Sequence, residues 1–143
     1  MSAQDRVLET YHAALQHDNV ELPTGTFRAG VVRRPTGWFR SVVDDNFPHL
    51  GPPAQLLDDV KEAQRELERE LDEVAAHNAA WDAVEFERRY SEYLCSEESA
   101  QEALAALAKR VRSGQPVALV CFEGDDKRCH RHHLRERLEA RVS

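Results

Sequence analysis

Val117-Ala-Leu-Val-Cys-Phe-Glu-Gly-Asp-Asp-Lys-Arg-Cys-His-Arg-His-His133 is the stretch whose reading decides the fold. Val117 to Phe122 is a continuous apolar run, the pattern of a strand covered on both faces. Gly124 and two aspartates interrupt it. The chain then enters a helix that opens with Cys129, His130 and Arg131 and carries Leu134 and Leu138 on one face, with Asp125 or Asp126 as its expected cap. Two thiols, an imidazole and a guanidinium are thereby expected near the carboxyl end of one strand, where open α/β sheets bind ligands.

Working outward, Pro116 and Gly114 end a helix over 97–112, with Gly114 at its C-cap. A helix is expected over 84–94, and a long one from Ala54 to about Ala76 through Leu56, Val60, Ala63, Leu67, Leu71 and Val74. Phe27 to Val32 reads as a second strand, followed by an Arg33-Arg34-Pro35-Thr36-Gly37 loop. Trp38 to Pro53 is read as irregular, with Phe47 to Leu50 as a candidate short strand. Val7, Leu8, Tyr11, Ala14 and Leu15 fit one side of a short N-terminal helix. Helices alternating with apolar strands define the expectation: one domain over 1–143, α/β and helix-rich, with a small, mainly parallel sheet flanked by helices in Rossmann-like three-layer fashion.

Composition narrows the function classes. The net charge of −7 argues against generic binding to nucleic-acid phosphates as the main role. No apolar run approaches a membrane span, and the first residues lack the apolar core of a signal peptide. The cytoplasm is the default location, and the three cysteines then read as reduced thiols. Cys95 and Cys121 read as packing residues. Cys129 differs, because a helix start and the flanking Arg128 and Arg131 favour its thiolate over the opposition of Asp125 and Asp126. Its pKa is expected to be modestly lowered.

If the two strands are parallel neighbours, Arg33 and Arg34 meet Glu123, Cys129, His130 and Arg131 at their carboxyl ends, with Trp38 and Phe39 as a wall. Guanidinium forks bind anions. A thiolate is a nucleophile, an imidazole moves protons, and Glu123 accepts them or pairs with arginine. The expected ligand is an anionic small molecule or nucleotide, anchored by Arg33, Arg34, Trp38 and Arg131, with Cys129, His130 and Glu123 as the catalytic set. Two other classes compete. One is a non-catalytic interaction or regulatory module with a structural Cys-His-Arg block. The other is a metal site using Cys121, Cys129 and a histidine, His132 at i, i+3 or His133 at i, i+4 from Cys129. Without a paired Cys-x-x-C, no stoichiometric zinc is expected, and no cofactor is legible.

The segment Val120-Cys-Phe-Glu-Gly-Asp-Asp-Lys-Arg-Cys-His-Arg131 resembles the C-terminal signature of the domain of unknown function 488 family, an apolar strand ending Cys-x-Glu followed by Cys-His-Arg on a helix. Phe86-Glu-Arg-Arg-Tyr90-Ser-Glu-Tyr93-Leu resembles the family's upstream helix, Gly30-Val-Val-Arg-Arg-Pro35 its strand ending Asp-Val-Arg, and His49-Leu-Gly its His-Leu segment. The resemblance runs from about Phe27 to Leu138 and implies a fold and a site, with no activity attached. Two features depart from it. The family's opening strand, of the type Thr-Ile-Gly-His-Ser, has no counterpart in this reading, and Gly30 stands where the family has aspartate.

Overall fold

The computed structural model describes residues 2–124 and 127–143. Its centre is a four-stranded sheet built from β1 (Val7–Tyr11), β2 (Phe27–Gly30), β3 (Asp45–Asn46) and β4 (Val117–Cys121), in the order β1-β4-β2-β3. Every pairing is parallel. The apolar run of 117–121 is buried at every position, so both faces of β4 are covered. Its two neighbours share one register: Val7 and Phe27 both lie opposite Val117, and Thr10 and Gly30 both lie opposite Val120.

The N-terminal segment is the main correction to the sequence reading. Val7–Tyr11 is a strand, and only His12–Gln16 forms helix α1. The apolar spacing of Val7, Leu8, Tyr11, Ala14 and Leu15 fits a helix, but β4 offers an open ladder that five residues of local propensity cannot outweigh. A strand thus stands where the sequence reading placed an N-terminal helix. β3 is a second correction: it forms at Asp45–Asn46, whereas Pro48–Leu50 turns as a 3-10 helix.

Between β3 and β4 lie helices α3 (Ala54–Leu67), α4 (Glu73–Ala83), α5 (Phe86–Ser96) and α6 (Glu98–Arg112). The long helix expected from Ala54 is thus two helices. Asp72 breaks it, because its carboxylate accepts the Ala75 amide at 2.8 Å and caps α4. Asn78, just past the expected end at about Ala76, lies inside α4. Gly114 leaves α6 with φ +103° and lets the chain turn into β4.

The last helix, α7 (His130–Val142), follows β4 and packs on β1 and β4. A short helix α2 (Gly37–Arg40) follows β2, and the chain moves away to β3. The connections after the two central strands diverge to opposite sides, which opens a crevice at the carboxyl ends of β2 and β4. The cap expected from Asp125 or Asp126 falls outside the described residues; the N-cap position of α7 is Cys129. Among the described residues, no helix is long and apolar enough to cross a membrane.

The floor of the crevice depends on Gly51. A Cβ there would stand 2.8 Å from the Val32 carbonyl carbon and closer still to the Arg33 backbone nitrogen, neither of which can swing aside. Gly51→Ala is therefore expected to destabilise the protein by about 1–3 kcal/mol, as overpacking does. Urea unfolding of the variant checks this; an unchanged midpoint would show that the two loops do not pack this closely.

Candidate functional site at the ends of β2 and β4

A cavity of about 250 Å³ opens in this crevice. β2 runs into it through Val32, Arg33 and Arg34, and β4 through Cys121, Phe122 and Glu123. Cys129 and His130 close one side. α3 and α4 supply the facing wall with Val60, Lys61, His77 and Trp81. Arg33, Arg34, Glu123, Cys129 and His130, singled out from the sequence, thus line one space. Trp38 and Arg131 do not. Trp38 is 74 % exposed, and Phe39 lies in the hydrophobic core. The aromatic wall comes instead from Trp81, stacked on Phe86 with ring centroids 3.5 Å apart.

Arg131 is only 1 % exposed. Its Nε donates to Glu9 Oε1 at 3.3 Å. Its Nη1 donates to Cys121 Sγ at 2.8 Å and to the Glu123 carbonyl. Its guanidinium also sits 5.5 Å from the centre of the Tyr11 ring. One side chain of α7 thereby ties β1 to the end of β4. Glu9 also meets the His132 ring and, at 3.6 Å, the Arg135 guanidinium from the same helix. Nothing in the sequence reading selected Glu9, because its segment was assigned to a helix; once Val7–Tyr11 is a strand, a carboxylate in its middle demands a partner.

His130 is equally committed. Its Nε2 lies 2.5 Å from the Val31 carbonyl. A carbonyl only accepts, so Nε2 carries the proton and Nδ1 is left as an acceptor. Nδ1 faces Cys129 Sγ at 3.6 Å. Burial holds the ring neutral and pushes its pKa down to about 4, against a raising contribution from the Val31 bond and with smaller lowering effects of Arg131 and His132. A neutral imidazole of this kind orients a thiol. It does not store a proton near neutral pH.

The cysteines depart from the sequence reading. Cys121 and Cys129 are paired as a disulfide across eight residues, which places strand end and helix start sulfur to sulfur. Cys95 is free and exposed. The guanidinium expected beside Cys129 donates to Cys121 instead. Both paired sulfurs are buried, so the exposed thiol for a bulky reagent is Cys95.

Arg33 has few hydrogen bonds to offer a ligand. Its Nε donates to the Pro52 carbonyl at 3.1 Å, and its Nη2 to the Gly51 carbonyl and the Tyr93 hydroxyl. Arg34 is exposed and reaches Asp58 at 3.7 Å, a weak surface pair. Lys61 is exposed on the same rim. Lys61, His77 and Trp81 were missed from the sequence because they lie on helices whose pairing only the tertiary fold reveals. Among the described residues, no group of three or more His, Cys, Asp or Glu side chains is arranged to hold a metal ion.

A small parallel α/β domain with a disulfide-, imidazole- and arginine-lined crevice at its strand ends is the class of protein these observations define. The chain belongs to the DUF488-N3a family, described as the Active DUF488-N3 subclade, which matches it over residues 11–142. No similar protein was found among curated proteins or among solved structures.

Two outcomes follow from the buried pair of side chains. His130 has its folded pKa near 4, below the unfolded value of about 6.5, so the unfolded chain binds the extra proton between those values. Its contribution to stability is complete above about pH 6.5 and is lost as pH falls toward 4, roughly 3 kcal/mol in all. Urea unfolding from pH 7 to 4.5 should show a steeper loss in the native protein than in His130→Asn; parallel curves would mean that the ring is not buried neutral. Arg131→Ala should cost about 3–5 kcal/mol, the penalty of breaking a buried charged network. A loss under 1 kcal/mol would contradict its place in the fold.

Proposed function

We propose that this chain is a cytoplasmic small-molecule-binding domain whose crevice takes a ligand with an anionic group, a nucleotide among the candidates, and holds it beside Cys129 and His130. The observation that carries this reading is the shared rim: Arg34 and Lys61, both exposed, line the same cavity as Cys129, His130 and Glu123. A phosphate or carboxylate at the rim meets two exposed cations, Lys61 and an Arg34 held only by a weak surface pair with Asp58. Trp81 and Phe122 offer flat apolar surface in the same lining, and the cavity, just under the usual size range of ligand pockets, suits a small ligand. The family's description as an active subclade supports a catalytic use of the crevice. In that use Cys129, once its bond to Cys121 is reduced, is the nucleophile, His130 orients its thiol, and Glu123 serves as a proton acceptor at the opening.

A second reading has its own support. Arg131 and His130 spend their polar groups on Glu9, Glu123 and Val31. A Cys-His-Arg block that staples helix to sheet fits a non-catalytic interaction or regulatory module.

Thermal-shift and calorimetric titration with adenosine monophosphate, inorganic phosphate and citrate separates the two. Binding by at least one probe is expected, and Arg34→Ala and Lys61→Ala should each weaken it about tenfold, the loss of one charge-assisted contact. Both substitutions are at exposed positions and should leave the melting temperature within a degree or two. Binding that survives in the double variant places the ligand elsewhere, and silence across all three probes favours the interaction module.

A further inference from the structure

The Cys121–Cys129 pair is surrounded by groups that a purely structural bridge does not require. Arg131 donates to Cys121 Sγ at 2.8 Å from a buried position where its charge is poorly screened. His130 turns its unprotonated Nδ1 to Cys129 Sγ at 3.6 Å. Cys129 sits at the start of a helix of 13 residues, and both sulfurs line the cavity. The two sulfurs therefore have unequal surroundings. A guanidinium favours the thiolate of Cys121, whereas an imidazole acceptor favours the protonated thiol of Cys129. In thiol–disulfide exchange the sulfur whose thiolate is better stabilised leaves faster.

We propose that Cys121 and Cys129 form a redox couple that exchanges electrons with a low-molecular-weight thiol or disulfide entering the crevice. An incoming thiolate attacks Cys129 Sγ. The Cys121–Cys129 bond breaks, and its electron pair goes to Cys121, held as a thiolate by Arg131. A second thiolate attacks the outer sulfur of the mixed disulfide on Cys129 and releases the small disulfide, and Cys129 takes a proton from solvent as its thiol beside Nδ1 of His130. Two electrons pass from two small thiols to the pair. Run in reverse, the reduced pair is oxidised by a small disulfide: Cys129 forms the mixed disulfide, and the Cys121 thiolate displaces the small thiol. In the cytoplasmic setting proposed above, disulfides are usually transient and catalytic or sensing, which agrees with a cycling pair. The proposal uses the same crevice as an entry path, but its test reads the thiols and not anion binding, so either reading can fail alone.

The full-length protein, first reduced, is treated with hydroxyethyl disulfide under native conditions, quenched in acid, alkylated and mapped by mass spectrometry. The expected product has lost about 2 Da, the two thiol hydrogens, and yields a linked Cys121–Cys129 peptide, while Cys95 carries at most a mixed disulfide. Cys95→Ser should react in the same way. Cys121→Ser should stop at a stable mixed disulfide on Cys129. Glutathione at millimolar concentration should then reopen the bond in the folded wild-type protein, and Arg131→Lys, shown folded by circular dichroism, should slow that step roughly tenfold. Two results overturn the proposal. One is Cys121 and Cys129 both remaining fully alkylated after the oxidant. The other is a bond that glutathione opens only after the protein is denatured. Both are read on the wild-type chain, so a variant that fails to fold leaves the test intact.

Discussion

The buried guanidinium of Arg131 is the constraint on which the remaining structure depends. It reaches β1 through Glu9 and the end of β4 through the Glu123 carbonyl and Cys121 Sγ. A charge this deep is tolerated only with near-complete partnering. β1 must therefore keep Glu9 turned toward α7, which sets the register of that strand against β4. α7 must start where it does, because moving Arg131 by one position would rotate it off the sheet by about 100°. Once that helix start is set, Cys129 and His130 have little freedom left. Cys129 faces Cys121, and His130 reaches over β4 to the Val31 carbonyl beyond β2. The Cys-His-Arg block spans three strands in three consecutive residues, and its specificity as a motif follows from that geometry.

The same arrangement divides the cations by role. Arg131 and Arg33 serve the fold, one tied to Glu9 and the other to the Gly51 and Pro52 carbonyls. Arg34 and Lys61 stay at the rim with their charges in solvent. A ligand anion competes for the second pair without dismantling the first. Arg-Arg at 33–34 is thus less redundant than it looks: the bend there sends one side chain to the loop floor and the next outward.

What could be read from the sequence follows from the strength of the local signal. β4 and α6 were legible because an unbroken apolar run and a Gly-x-Pro stop have few alternative readings. The convergence of Arg33 and Arg34 with Glu123, Cys129 and His130 followed from one inference, that β2 and β4 are parallel neighbours, and the ladder from Phe27–Val117 to Gly30–Val120 has that form. β1 was illegible because five residues with Val, Leu and Tyr satisfy helix and strand periods alike, and the deciding partner lies more than a hundred residues away at Val117. The break in the long helix was readable in principle, since Asp72-Glu73 is a cap signal, but the apolar spacing across Leu67, Leu71 and Val74 masks it. Trp38 was misplaced for a different reason. An aromatic after a loop suggests a pocket wall, yet its side depends on the short α2 turn, where Phe39 takes the core position and leaves Trp38 outside.

Gly30 shows how these constraints reach the site. A Cβ on Gly30 would press on the Phe39 ring at 2.7 Å and on Asn46 Oδ1 at 2.6 Å. Asn46 occupies the space, with its Oδ1 accepting the Val32 amide and its Nδ2 donating to the Val32 carbonyl. A neutral amide from β3 thus supports the strand end. Gly30 thus places no charge at the mouth of β2, one residue before the Val31 carbonyl that holds His130. A buried carboxylate there would favour protonated His130 and compete for Arg33. With Gly30 and Asn46 in its place, the imidazole stays neutral, its Nδ1 stays an acceptor toward Cys129, and the positive rim of the crevice meets no opposing charge from β2.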